Sequence, residues 1–112
     1  MKTLAAALLL VAPLALAHHG WSEYDDSKPL ELKGVIRSAG YDNPHGTVKL
    51  ESGGKTWNVV LAPPGRMANR GLEQKALAPG VDAIVNGYPN RSKADELRAE
   101  RITIGGKTTE LR

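Results

Sequence analysis

The stretch Leu30-Glu31-Leu32-Lys33-Gly34-Val35-Ile36-Arg37-Ser38 decides the fold of this chain. Its apolar residues Leu30, Leu32 and Ile36 lie on one face of a strand with charged residues opposite, which is the two-residue period of a half-buried strand. Gly34 interrupts the apolar face, and a glycine inside a strand often marks a bulge or a sharp bend. A small barrel needs such a bend in a long strand in order to close.

Turn-forming segments separate further short strands along the chain. We predict strands at residues 30–38, 47–51, 56–61, 81–88 and about 96–104. The turn Ser52-Gly53-Gly54-Lys55 joins the second and third strands as a hairpin. Short helical turns are expected within residues 66–75. Residues 95–101 leave helix and strand both open, because Ser92 and Asp95 resemble a capping box, and we favour the strand.

Three strands, a short helical link and two more strands follow the order of an OB-fold, a five-stranded and partly open barrel. We therefore predict an all-β domain with a short helix, forming a small five-stranded OB-fold-like barrel over residues 30–112. A small β-sandwich is the alternative. The polar residues 18–29 are expected to form an N-terminal arm, which Trp21 and Tyr24 could attach to the barrel.

The first 17 residues have the layout of a secretory signal peptide. A positively charged start is followed by an apolar run over residues 4–14, and Ala15-Leu16-Ala17 places small residues where signal peptidase cuts. The run is too short to span a bilayer, although a membrane anchor or a buried helix is the alternative. We expect cleavage after Ala17 and a periplasmic protein. No second apolar segment follows, so we expect no transmembrane segment after processing.

Composition excludes several classes of function. The chain has no cysteine, and its net charge of +3 includes Lys2 of the leader. The remaining charges are interspersed along the sequence, which argues against a nucleic-acid partner. No serine lies in a nucleophile-elbow pattern, and the adjacent Asp25 and Asp26 lie in the arm, where no packed scaffold positions them. We therefore expect a protein that is not an enzyme.

A series of short motifs in fixed order resembles the DUF6152 family of small exported bacterial proteins. The motifs are His18-His19-Gly20-Trp21, the strand 29–35, Asn43-Pro44-His45, Trp57, Arg70-Gly71, Leu77-Ala78-Pro79-Gly80 and Val85-Asn86-Gly87-Tyr88. The chain departs from the usual pattern at Tyr41, where the family commonly has tryptophan, and at Asn69, where it often has arginine. The resemblance implies a periplasmic, OB-like barrel and no established activity.

Three histidines suggest a metal site. Cleavage after Ala17 would leave His18 with a free α-amine, followed directly by His19. The amine and the His18 imidazole can chelate one ion, or the amine, the His19 amide and the His19 imidazole can form a square-planar set. Such nitrogen ligands suit Cu(II) best. His45 would add a third imidazole if its loop folds beside the arm. The alternative is a solvated polar terminus and an ordinary loop histidine.

A second reading is an envelope ligand- or partner-binding OB-like module without a metal. OB-folds bind oligonucleotides or saccharides on one face through aromatic and basic residues. Trp57 is in phase with Val59 and Leu61, however, which favours a place in the core. The candidate residues for such a face are Tyr41, Trp57, Tyr88, Arg37, Lys49 and Arg98. A purely structural protein that docks a partner at an exposed sheet edge is a third possibility.

Overall fold

The computed structural model describes residues 20–112, and its strands form a closed five-stranded barrel with a sixth strand added. The strands are β1 (Leu30–Gly40), β2 (Thr47–Ser52), β3 (Lys55–Val60), β4 (Asp82–Pro89), β5 (Glu96–Ile104) and β6 (Lys107–Glu110). One α-helix, α1 (Pro64–Asn69), and the 3-10 turns Trp21–Glu23 and Gln74–Leu77 complete the secondary structure of this part of the chain. The leader, the cleavage point and the pair His18-His19 lie outside the described residues.

Strand order identifies the barrel as an OB-like one. Antiparallel pairing runs β3-β2-β1-β4-β5, and the ring closes where β3 and β5 pair in parallel, from Asn58–Glu96 to Val60–Arg98. The helix α1 lies between the third and fourth strands. The predicted all-β, OB-fold-like barrel with a short helix is therefore confirmed, and the β-sandwich alternative is wrong because the sheet closes on itself.

The first strand changes partner next to Gly34. Residues 30–35 pair with β4 and residues 35–40 pair with β2, and the register shift in this strand falls between Ile36 and Ser38, not at Gly34, where the sequence predicted a bulge or bend. A Cβ atom at Gly34 would lie 2.1 Å from the main-chain oxygen of Glu51, so only glycine lets the two strands approach this closely. The strand β1 therefore pairs with β4 through its first half and with β2 through its second half.

The interior is aliphatic and sealed at one end. Its fully buried side chains include Ile36, Val48, Leu50, Val59, Leu61, Val85, Leu97 and Ile102. Met67 of α1 is also fully buried, so the helix closes the barrel by adding its one long apolar side chain to this core. Trp57 is partly buried and packs against the core, with Lys55 Nζ 3.9 Å from its ring centroid. Trp57 is therefore a core residue, as favoured above.

Residues 20–29 lie against the barrel along β4 and the loop that follows it. The Asp25 amide donates to the Pro89 carbonyl at 2.8 Å, and Tyr24 forms an isolated β-bridge with Asn90. Trp21 packs edge-on against Tyr88, with 6.1 Å between the ring centroids. These contacts fix the last residues of the arm on the barrel surface. Within residues 20–112, no helix combines the length and the apolar character that crossing a membrane requires.

Candidate functional site

A cleft of about 460 Å³ lies on the outer face of β2 and β3, between two loops. The β1–β2 loop, residues 41–46, contributes His45, and the β4–β5 loop, residues 90–95, contributes Lys93. Other lining residues include Tyr24, Ser38, Thr47, Lys49, Asn58, Val60 and Glu96. The cleft therefore joins the arm, both loops and residues of β1, β2, β3 and β5 in one concave surface.

The loop that carries His45 is fixed on both sides of the histidine. Before it, the Tyr41 hydroxyl donates to the Leu72 carbonyl at 2.6 Å. After it, the Gly46 amide donates to the Ala62 carbonyl at 2.9 Å. A side chain at Gly46 would meet the terminal methyl of Met67 at 2.7 Å, so the loop packs directly onto the helix that closes the core. This packing holds the partly buried His45 at the cleft wall.

Tyr24 and Glu96 form the opposite, arm-side wall. The Tyr24 hydroxyl donates to Glu96 Oε2 at 2.5 Å, and Asn90 Nδ2 donates to the same oxygen at 3.2 Å. Lys93 Nζ lies 3.9 Å from the other carboxylate oxygen. Burial of the ring, with the hydrogen bond to Glu96 as the second cause, raises the pKa of Tyr24 well above its ordinary value. Tyr24 therefore stays protonated and holds the Glu96 carboxylate in place.

The strand face of the cleft combines apolar side chains such as Val48 and Val60 with the polar pair Lys49 and Asn58. Lys49 Nζ donates to Asn58 Oδ1 at 2.7 Å, across the β2–β3 pair. Lys49 and Lys93 bring two positive charges to the cleft, against the single carboxylate of Glu96. Such a surface can bind a small polar or anionic molecule through hydrogen bonds and charge.

The described residues alone do not supply a full metal-ligand set. Across residues 20–112, no three side chains of histidine, cysteine, aspartate or glutamate lie close enough together to hold a metal ion. His45 is the only histidine in this range. A metal site at the cleft would therefore need ligands from His18 or His19, which lie outside the described residues.

The aromatic and basic face considered in the sequence analysis does not assemble. Tyr41 and Trp57 pack against the core, and Tyr88 contacts Trp21 of the arm. Arg37 forms an ion pair with Glu51 at 2.6 Å. Arg98 lies under the arm, with its guanidinium carbon 4.5 Å from the Trp21 ring centroid. Of the six residues proposed for that face, only Lys49 lines the cleft.

Sequence reasoning missed Tyr24 and Glu96 as parts of the site. They are 72 residues apart, and neither stands in a motif that signals binding. The Ser92–Asp95 pattern, which resembles a helix cap, instead lies in the loop before β5. The Asn90 side chain forms that turn, by accepting hydrogen bonds from the amides of Ser92 and Lys93. The β4–β5 loop thereby brings Glu96 to the cleft.

Comparison with known proteins identifies the family and the fold. The family model described as "Family of unknown function (DUF6152)" matches residues 6–98. No curated protein matches the sequence. The chain is similar to the crystal structure of a ZRD-deleted mutant of TiaS in complex with agmatine, with a TM-score of 0.52 and 19% identity. The match covers 76% of this chain and 24% of the TiaS chain, and at this identity it shows the fold alone.

Proposed function

Because the chain belongs to DUF6152, a family of unknown function, we propose from its own residues that it binds a transition metal, copper first, through a processed N-terminus. Removal of residues 1–17 in the periplasm would expose the α-amine of His18 beside His19. His45 adds an imidazole from the barrel. The protein acts as a non-catalytic metal binder in this proposal.

The observation that carries the proposal is the position of His45 in the cleft. Tyr24 of the arm and His45 of the β1–β2 loop line the same cleft. Gly20 is the first described residue, and His18 precedes it by two residues, which span roughly 7 Å at most, so the proposal requires Gly20 to lie within that reach of the cleft. Amine and imidazole nitrogens form a donor set that favours Cu(II) over Zn(II).

The test is a calorimetric titration of the protein starting at His18 with Cu(II) at pH 7.4. We expect about one ion per chain, because the amine and two or three imidazoles form one chelate. His45→Ala should weaken binding by about tenfold, since one nitrogen ligand is lost from the metal's coordination shell. Acetylation of the His18 α-amine removes that nitrogen from the ligand set and should weaken binding further. Affinity should fall below about pH 6, where imidazole and amine are protonated.

Two outcomes separate the parts of the proposal. If acetylation of the α-amine has no effect, the terminus is not the ligand and the proposal is wrong. If His45→Ala matches the unchanged protein while acetylation abolishes binding, the site is confined to the terminus. A His45→Gln variant keeps a polar side chain at the cleft wall, and it serves as the control for loop packing.

The cleft itself supports a second candidate, a small polar ligand bound without metal. Its volume of about 460 Å³ lies within the usual range for ligand pockets, and it occupies the face and loops that OB-folds use for binding. Lys49→Ala and Asn58→Ala remove neighbouring cleft side chains outside the core. NMR titration of metal-free protein with neutral and acidic oligosaccharides tests this candidate. Chemical-shift changes confined to the cleft and lost in these variants would support it.

A further inference from the structure

Five basic side chains meet where the end of the chain passes α1. We call Arg66, Arg70, Arg98, Lys107 and Arg112 the basic cluster. In the sequence they are spread over 47 residues, from 66 to 112. The cluster lies outside the cleft described above, since none of its members lines that cleft.

Main-chain oxygens hold three members of the basic cluster in place. Arg66 Nη1 donates to the Leu111 carbonyl at 3.0 Å. Arg70 Nη1 donates to the Glu110 carbonyl at 2.7 Å and to a terminal carboxylate oxygen of Arg112 at 3.1 Å. On the other side of the turn, Lys107 Nζ donates to the Gly71 carbonyl at 3.0 Å. The bonds to carbonyls orient the side chains without neutralising their charge.

The other two members stack on one indole ring. The guanidinium carbons of Arg98 and Arg112 lie 4.5 and 4.4 Å from the Trp21 ring centroid. Burial lowers the pKa of Arg98, and the nearby charges of Arg66 and Arg112 lower it further. Arg66, Arg98 and Arg112 are therefore close enough to repel one another.

Few carboxylates offset this charge. Glu100 lies 3.5 Å from Arg112, and Glu23 acts on Arg98. The Glu110 carboxylate forms an ion pair with Arg101, which is not part of the basic cluster, at 2.9 Å. Within residues 20–112, Arg66 and Lys107 form no ion pair. Counting the terminal carboxylate beside Arg70 together with Glu23 and Glu100, the basic cluster carries an excess of about two positive charges, which equals the excess over residues 18–112.

We propose that the basic cluster binds the phosphate headgroups of an anionic phospholipid surface. Arg66, Arg70, Lys107 and Arg112 are all exposed, and together they form a rim rather than a cavity. Each guanidinium has five N–H donors, so donors remain for phosphate oxygens after the carbonyl bonds are made. Several cations fixed side by side match a surface of many phosphates better than one small ion.

The same geometry disfavours single-stranded nucleic acid as the partner. Proteins that bind it offer exposed aromatic rings on which bases stack. The aromatic ring within the basic cluster is Trp21, and the stacked guanidinium groups of Arg98 and Arg112 already occupy it. The basic cluster therefore offers donors for phosphate groups but no exposed aromatic ring on which a base could stack.

The test is co-sedimentation of the chain starting at His18 with vesicles of phosphatidylglycerol and phosphatidylcholine, and with vesicles of phosphatidylcholine alone. We expect binding to the anionic vesicles only, and we expect binding to weaken as salt rises from 50 to 300 mM. Arg66→Gln with Arg70→Gln should weaken binding by about tenfold or more, because each cation near such a surface contributes to affinity. Lys28→Gln with Lys33→Gln removes the same charge outside the basic cluster, and it should change affinity less than twofold.

Lys107→Gln is a second variant that controls for loss of folding, because it leaves the hydrogen bonds of Arg66 and Arg70 to the main chain intact. It should weaken vesicle binding by about threefold at an unchanged melting temperature. Equal binding to neutral vesicles, or equal losses in the control pair, would overturn the proposal. So would full competition by millimolar inorganic phosphate, which would indicate a single-ion site, or tighter binding to DNA than to vesicles. None of these readouts involves metal.

Discussion

At the scale of single residues, Gly34 is the position where sequence reasoning and structure agree most directly. An interrupted apolar face predicted that a side chain is not tolerated at this strand position, and the structure places the Glu51 oxygen where a Cβ atom would lie, although the register shift in β1 falls between Ile36 and Ser38. The reason for the agreement is local, since a missing side chain is visible in the sequence. The contact partner was not visible, because it belongs to another strand.

Replacing Gly34 by alanine should therefore lower the free energy of unfolding by at least about 3 kcal/mol, because the new methyl group meets main-chain atoms that cannot turn aside. Urea denaturation followed by tryptophan fluorescence measures the loss. Gly65→Ala is the matched control, since no atom lies within 4 Å of its added Cβ and alanine favours the helix α1. A loss below 1 kcal/mol at Gly34 would contradict the close approach of β1 to β2.

Tyr24 gives a pH-dependent prediction. The folded protein raises the pKa of Tyr24, whereas the unfolded chain releases this proton near pH 10. The unfolded state therefore loses the proton first, so the stability that Tyr24 contributes is present below pH 10 and falls as the pH rises above it.

Tyr24→Phe removes both the hydrogen bond to Glu96 and this titration. At pH 8 the variant should be less stable by about 1.5–3 kcal/mol, a typical value for a hydrogen bond to a charged group. The difference between the two proteins should shrink between pH 9 and pH 11. Urea denaturation across this range measures it, and a difference that stays constant would contradict the raised pKa.

At the scale of elements, the strands with clear apolar–polar alternation could be predicted from the sequence. The strand β5 was ambiguous with a helix, and β6 was not predicted. Residues 96–101 contain good helix formers, yet β5 has partners on both edges, and pairing with β3, β4 and β6 overrides local propensity. The strand β6 was missed altogether. Its sequence is Lys107-Thr108-Thr109-Glu110. Because it contains no apolar residue, it lacks the alternation of apolar and polar residues that predicts a strand.

The segment that follows β6 nevertheless belongs to the core. Leu111 is buried, and its amide donates to the Glu100 carbonyl at 2.8 Å. Leu111→Ala should cost about 2–4 kcal/mol of stability, because a buried leucine is replaced by a cavity. Thr108→Ala in β6 is the control, since Thr108 is exposed and should change stability by less than about 1 kcal/mol. Thermal melting of both variants tests whether the segment after β6 is an integral part of the core.

At the scale of the whole molecule, the candidate sites depend on contacts between distant parts of the chain. His45 could be singled out from its type and its turn, but its place opposite Tyr24 and Glu96 depends on how two loops and the arm meet. The charges looked interspersed in the sequence, and that description is incomplete, because folding gathers five basic side chains beside β6. Net charge reports how many charges there are, and only the fold reports where they concentrate.

Ring closure by β3 and β5 has a consequence for the nascent chain. Val59 pairs with Leu97, so the partner of β3 is synthesised 38 residues after it. Until then the growing sheet is open at β3 and at its other edge, which is first β1 and then β4, and open edges recruit other polypeptides. Non-local pairing of this kind also slows folding. The molecule is therefore most prone to aggregation while its last quarter is still being made, and this is the stage at which a holding chaperone would protect it.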